Sequence, residues 1–155
     1  MSKKVCLIIG GGRGMGAATA RQMHSRDYAL ALMSPTESCE TLAAELGGIA
    51  QRGRAESASD LNSVFDLTME KYGRIDGVLI HVGGPPKGDL LDIPEEDWDK
   101  ANDMVLKPVI RMAKLGTPIM EKQGGGSIVN ITTFSAFEPS LTFSTSSVYR
   151  VGVSS

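Results

Sequence analysis

Five consecutive apolar residues, Val5 to Ile9, run straight into Gly10-Gly11-Gly12-Arg13-Gly14-Met15-Gly16, and a helical stretch follows from Ala17 to about Arg26. A short unbroken apolar run is the pattern of a strand buried on both faces. A chain that turns sharply out of such a strand and into a helix has few folds open to it. The strand belongs inside a parallel sheet, with the helix packed back across it. Strand, glycine turn and helix also make a cradle for phosphate. Glycines let the backbone approach an anion, and the N–H groups of the first helical turn point at it from the positive end of the helix dipole. Gly10, Gly14 and Gly16 carry the spacing G-x-x-x-G-x-G. The plain alternative is a tight turn that binds nothing; its place after the first strand and before the first helix favours a dinucleotide pyrophosphate.

The alternation continues along the chain. Tyr28 to Met33 is a second buried run, ending at Ser34-Pro35. Ser38 to Leu46 reads as a helix, with Ser38 as N-cap and Gly47 past its end. Ile49 to Gln51 is a weak third strand. A helix beginning at Ser59 or Asp60 repeats Leu61, Val64, Phe65 and Leu67 at helical spacing. Gly77 to Val82 is a fourth strand, closed by the loop Gly83-Gly84-Pro85-Pro86. Glu95-Glu96-Asp97 supplies an acidic first turn to a long helix, Trp98 to Met120, which Pro108 should kink or divide. Ser127 to Thr132 is a fifth strand, and helical character returns near Ser144. The fold class is therefore α/β, a doubly wound parallel sheet of the Rossmann type. Such folds usually carry a sixth strand. A single dinucleotide-binding domain over 1–155 is expected, truncated after the fifth strand and incomplete at its C-terminus.

Composition removes several classes of function. Sixteen Lys and Arg against eighteen Asp and Glu leave a net charge of −2, no attraction for nucleic acid or an anionic membrane. No apolar run approaches the roughly 18–20 residues that span a bilayer. The start, Met1-Ser2-Lys3-Lys4 and five apolar residues, is too short for a secretory signal. Cys6 and Cys39 are too few for a disulfide scaffold and read as reduced thiols in a cytoplasmic protein. No His, Cys, Asp and Glu set has metal-ligand spacing, so no metal is expected. His24 reads as a surface residue of the first helix, and Met15, Met23 and Met33 as core fillers.

Which dinucleotide is bound depends on the end of the second strand, where an acid would accept the ribose 2′-hydroxyl of NAD. Here stand Ser34-Pro35-Thr36, with Glu37 just beyond. Arg13, inside the glycine loop, can meet a 2′-phosphate through its planar fork; otherwise it is a solvated surface charge. Both features favour NADP(H) over NAD(H).

The glycine loop, the run Tyr72-Gly73-Arg74-Ile75-Asp76-Gly77 before a strand, and Gly126-Ser127-Ile128-Val129-Asn130-Ile131 together resemble the short-chain dehydrogenase/reductase family. The resemblance runs over all 155 residues, about the first two-thirds of a family member. It implies an NAD(P)(H)-dependent oxidoreductase that moves a hydride between nicotinamide and a small carbonyl or alcohol. It also implies a homo-oligomer, dimer or tetramer, in the full-length form. By the same resemblance the cofactor-binding set is Gly10, Gly12, Arg13, Gly14, Met15, Gly16, Ser34, Gly83, Gly84 and Arg150. The family's catalytic Ser corresponds to Thr133, and its Tyr-x-x-x-Lys to Ser146-Ser147-Val148-Tyr149-Arg150. Its Asp after the third strand corresponds to Arg54, its Asn-Asn-Ala-Gly turn to His81-Val82-Gly83-Gly84, and its Asn on the long helix to Val105.

These departures fall on proton transfer. In the family the Tyr is the acid or base, its phenol brought down by the neighbouring Lys cation. Thr133 keeps a hydroxyl that can orient a carbonyl. Ser146 is shorter and far less acidic than a phenol, while Arg150 keeps a cation but enters no proton relay. Tyr149, three residues after Ser146, or His81, whose imidazole exchanges protons near neutrality, could replace the phenol; a subunit contact and a structural hydrogen bond are their plain alternatives. The catalytic candidates are thus Thr133, Ser146, Tyr149 and Arg150, with His81 beside them. Two further readings remain open: a nucleotide-binding protein without catalysis, and a truncated fragment with no function of its own.

Overall fold

The computed structural model describes residues 3–155; Met1 and Ser2, the start of the N-terminal stretch, lie outside them. Strands and helices alternate throughout: β1 (Val5–Ile9), α1 (Gly14–Ser25), β2 (Ala29–Ser34), α2 (Ser38–Leu46), β3 (Ile49–Arg52), α3 (Ala58–Tyr72), β4 (Gly77–Ile80), α4 (Glu95–Lys122), β5 (Ser127–Asn130) and α5 (Ser144–Ser154), with a 3-10 turn at Phe134–Ala136. The five strands are parallel in the order β3-β2-β1-β4-β5. The chain starts in the middle of the sheet, winds outward to β3, then returns to lay β4 against β1. Helices leave β1 and β4 towards opposite faces, and a crevice opens at the C-terminal strand ends between them.

The two-residue period of β1 sorts the core. Leu7 and Ile9, with Met33, Val78 and Ile80, pack against Leu61, Val64 and Phe65 of α3 and Met112 and Met120 of α4. Cys6 and Ile8, with Leu30, Leu32 and Leu79, pack on Ala20 of α1 and on Cys39, Leu42 and Ala43 of α2. All five β1 residues are buried, as a central parallel strand requires. Both cysteines are free and buried, and burial pushes the Cys6 thiol up to about 12. At the far end of the sheet the Asp76 carboxylate takes the Val5 N–H at 2.8 Å and a two-pronged contact from Arg74 at 2.9 and 2.6 Å. Burial alone would raise its pKa, but these bonds to Arg74 and Val5 win and hold the carboxyl below its ordinary value.

Several local expectations change. Ser38 is the first residue of α2 instead of its cap; Glu37 holds the N-cap place, and the Ser38 hydroxyl pairs with that of Thr36 at 2.8 Å. α3 begins at Ala58, because the Ser57 hydroxyl caps it by accepting the Asp60 N–H at 3.2 Å. α4 runs unbroken from Glu95 through Pro108 and Pro118. Pro108 forfeits one backbone bond, but its ring is buried in the helix's packed face. Met15 is 54% exposed, since it sits in the first turn of α1 at the open end of the sheet, while Met33 is in the core. β4 ends at Ile80 and β5 at Asn130, two residues earlier than the apolar runs suggest, so His81-Val82 and Ile131-Thr132 leave the sheet for the crevice. Among the described residues no helix is long and apolar enough to cross a membrane.

Candidate functional site

The glycine loop is pinned to β2: the Gly10 and Gly11 N–H groups both donate to the Met33 carbonyl, at 2.8 and 2.9 Å. Gly10 has φ +84°, and a Cβ there would overlap the His81 carbonyl oxygen. A Cβ on Gly16 would overlap the Gly10 carbonyl, so the start of α1 packs directly beneath the loop. Only glycine fits at either place.

In front of the loop lies a cleft of about 380 Å³. Its walls include Gly10, Gly12 and Arg13 of the loop, Ser34-Pro35-Thr36 and Ser38 after β2, Gly53 to Glu56 after β3, and His81 to Gly83 after β4. The Ser34 hydroxyl donates to the Thr36 carbonyl at 3.0 Å, and a Cβ on Gly12 would strike the hydroxyls of both Ser34 and Ser38. Arg13 is exposed at the N-terminus of α1 and makes no ion pair among the described residues. The acids nearby are engaged. Glu56 pairs with Arg54 at 3.1 Å, and Glu37 lies outside this cleft, 3.8 Å from Arg52.

His81 and Val82 form the divide between this cleft and a second one of about 220 Å³. The second is lined by Met15, Gly84, Pro85, Lys87, Thr132, Thr133, Phe143, Ser146 and Arg150, among others. Thr133 after β5 thus meets Ser146 and Arg150, one turn apart on α5, where β4 and β5 end. Arg150 is 7% exposed; it donates to the Ile131 carbonyl at 2.6 Å and the Gly83 carbonyl at 3.4 Å, while its Nε has no partner. Burial pulls its guanidinium below the ordinary value. It ties the chain leaving β4 to the chain leaving β5.

Tyr149 stands apart. Its ring lies against Trp98 of α4, with centroids 6.2 Å apart, and it lines neither cleft. Gly14, with φ +53°, lines neither cleft, and Gly16 supports the loop from below. Val105 is a buried residue of α4, and His24 is exposed. Lys87 and Phe143 escaped the sequence reading, since no motif marks them. They meet because the loop after β4 is strapped to the start of α5: the Thr145 hydroxyl donates to the Pro86 carbonyl, and Gly88 bridges to Phe143.

The family model of the short chain dehydrogenases matches residues 4–149. The chain belongs to the short-chain dehydrogenase family. An uncharacterized oxidoreductase of Thermotoga maritima is 33% identical over 134 residues, covering 84% of this chain and 53% of the relative. Human dehydrogenase/reductase SDR family member 4 is 30% identical over 164 residues, covering 99% and 58%. This short-chain dehydrogenase therefore spans little more than half the length of those curated relatives. Its fold matches that of levodione reductase with a TM-score of 0.91 at 23% identity, over 99% of this chain and 63% of the other. It also matches YwfH, an NADPH-dependent reductase involved in bacilysin biosynthesis, with a TM-score of 0.93 at 19% identity, over 98% and 63%.

Proposed function

We propose that this short-chain dehydrogenase binds NADP(H) in preference to NAD(H) and serves as an oxidoreductase for a small carbonyl or alcohol. One observation carries the cofactor preference. Among the described residues Arg13 has no ion pair; it lines a cleft together with the hydroxyl set Ser34, Thr36 and Ser38, and the one carboxylate lining it, Glu56, is paired with Arg54. A 2′-phosphate finds a planar cation and hydroxyl groups there; at the end of β2, where an NAD site carries its acid, stand Ser34-Pro35-Thr36 instead. The NADPH dependence of YwfH is in keeping with this.

The residues present fit the dinucleotide. Gly10 and Gly12 keep the backbone bare at the cleft where a pyrophosphate approaches, Gly16 lets α1 close beneath the loop, and Gly83 and Gly84 leave room beyond β4. When bound, the cofactor supplies or accepts the hydride. The chain's own residues do the rest: the Thr133 hydroxyl orients the carbonyl and meets its growing negative charge. Arg150 keeps the two strand ends at fixed separation and sets its cation in the wall of the second cleft, on the side where the nicotinamide ribose would lie. The His81 imidazole lines the second cleft and is assigned the proton, with the Ser146 hydroxyl on the same cleft as its relay.

Calorimetry with NADPH and NADH tests the cofactor assignment. Arg13→Ala should weaken NADPH about tenfold, the worth of one charge-assisted contact, and leave NADH unchanged. Equal loss for both nucleotides, or none for NADPH, overturns it. The replacement of the family's Tyr and Lys by Ser146 and Arg150 favours a second reading, a nucleotide-binding protein without turnover, which gives the same binding but no carbonyl-dependent oxidation of NADPH. We place the protein in the cytoplasm as a homo-oligomer; the apolar Ile110, Val148 and Val151, exposed on the packed pair α4 and α5, support assembly.

A further inference from the structure

The second cleft has an electrostatic character that the reaction itself does not call for. Among the described residues two basic side chains line it, Lys87 and Arg150, and no Asp or Glu does. Arg150 is committed to the Ile131 and Gly83 carbonyls. Lys87 is not committed. It forms no ion pair among the described residues, and its ammonium sits 5.1 Å from the centroid of the Phe143 ring.

That position is built. The loop carrying Lys87 is held at Pro86 by the Thr145 hydroxyl and at Gly88 by the bridge to Phe143, one residue on either side. Phe143 is braced in turn by Phe134, edge to face at 5.9 Å. An exposed lysine normally roams among solvated rotamers. Here the strap and the ring keep the ammonium over the mouth of the cleft without neutralising it, since an aromatic face attracts a cation but leaves its charge available.

We infer that this cleft takes a carbonyl or alcohol substrate bearing a carboxylate, and that Lys87 is the specificity-determining residue that receives it. This rests on the proposed oxidoreductase function, with Thr133 at the reacting oxygen. A carboxylate suits the site better than a phosphate: one uncommitted ammonium matches a single negative charge, whereas a phosphate dianion would call for a second free cation and Arg150 is committed to two carbonyls. The remaining lining, with Met15, Pro85, Ile131 and Phe143, suits a short apolar body between the two polar ends.

The test compares 4-oxocyclohexanecarboxylate with its methyl ester, two ketones of nearly equal shape, by ligand-observed NMR titration of this chain with and without NADPH. The acid should bind about tenfold more tightly than the ester. Lys87→Gln should reduce that ratio to about threefold or less, and Lys87→Arg should retain most of it. Equal binding of acid and ester, or an undiminished ratio in Lys87→Gln, overturns the inference. NADPH affinity measured in parallel by calorimetry should be the same in Lys87→Gln as in the parent. Its loss would put Lys87 on the nucleotide and also overturn the inference. A parent chain that binds no NADPH defeats the nucleotide assignment alone, because the acid-to-ester ratio without nucleotide still decides the role of Lys87.

Discussion

The two clefts that meet at His81 are built from different materials. The one in front of the glycine loop is shaped by backbone: Gly10 against the His81 carbonyl, Gly16 against the Gly10 carbonyl, and two N–H groups on the Met33 carbonyl. The one beyond it is shaped by side chains gathered from four places: Met15 on α1, Lys87 after β4, Thr133 after β5, and Ser146 and Arg150 on α5. A backbone-built site tolerates almost no change at its few fixed positions, because a Cβ has nowhere to go. A side-chain-built site keeps its position while its chemistry is exchanged. On the resemblance read from the sequence, Ser146 and Arg150 in place of the family's Tyr and Lys would be such an exchange.

The sharpest way to break this contrast is at Gly10. Gly10→Val forces a branched side chain into a positive φ and into the His81 carbonyl. It should cost roughly 3–4 kcal/mol in urea unfolding and abolish nucleotide binding in calorimetry. A folded Gly10→Val chain with parental stability and NADPH affinity would show that the loop is not rigid at all.

This difference also explains what could be read in advance. The glycine loop was legible because each of its residues answers a local demand, and β1 because five buried apolar residues in a row have one home in such a fold. The unbroken course of α4 was not, because the packing that buries Pro108 is supplied by other elements and overrides the local propensity. Nor was the exposure of Met15: its apolar character says core, while its position at the open sheet end says otherwise. Lys87 and Phe143 are 56 residues apart by numbering and meet only through the strap between loop and helix. In general, backbone constraints are written locally and side-chain assemblies are not.

At the opposite end of the sheet, away from both clefts, a side-chain assembly ties β1 to the start of β4. Asp76 receives Arg74 and the Val5 N–H, which outweigh its burial and lower its pKa. A carboxyl lowered on folding adds stability that is fully present above its unfolded value, about 3.9, and lost as pH falls through the lower folded value. Asp76→Asn should therefore cost about 2 kcal/mol at pH 7. The gap between the two urea midpoints should hold from pH 7 to about pH 5 and close as the pH drops below about 4. NADPH affinity, measured on the folded variant, should not move. A gap that widened in acid would contradict the sign of the shift.

The smallest expected effect is at Tyr149, and it decides whether the second cleft has recruited a displaced phenol. Three residues on a helix advance the side chain by about 300°, so Ser146 and Tyr149 point about 60° apart and nearly one turn along the axis. That offset is enough to put Ser146 on the cleft and the Tyr149 ring on Trp98. Tyr149→Phe keeps the ring and removes the hydroxyl. It should leave the unfolding free energy within about 0.5 kcal/mol, the range of changes that break no core contact or buried bond. NADPH binding should be unaltered, and any ketone-dependent oxidation of NADPH should keep its pH profile. Tyr149→Ala, which removes the ring from Trp98, should change the Trp98 emission and cost about 1 kcal/mol through the lost aromatic contact. If Tyr149→Phe instead abolished turnover while the Trp98 emission stayed put, the phenol would be the proton carrier, reached by a movement of α5. His81 would then be left as a wall between the two clefts, with no part in proton transfer.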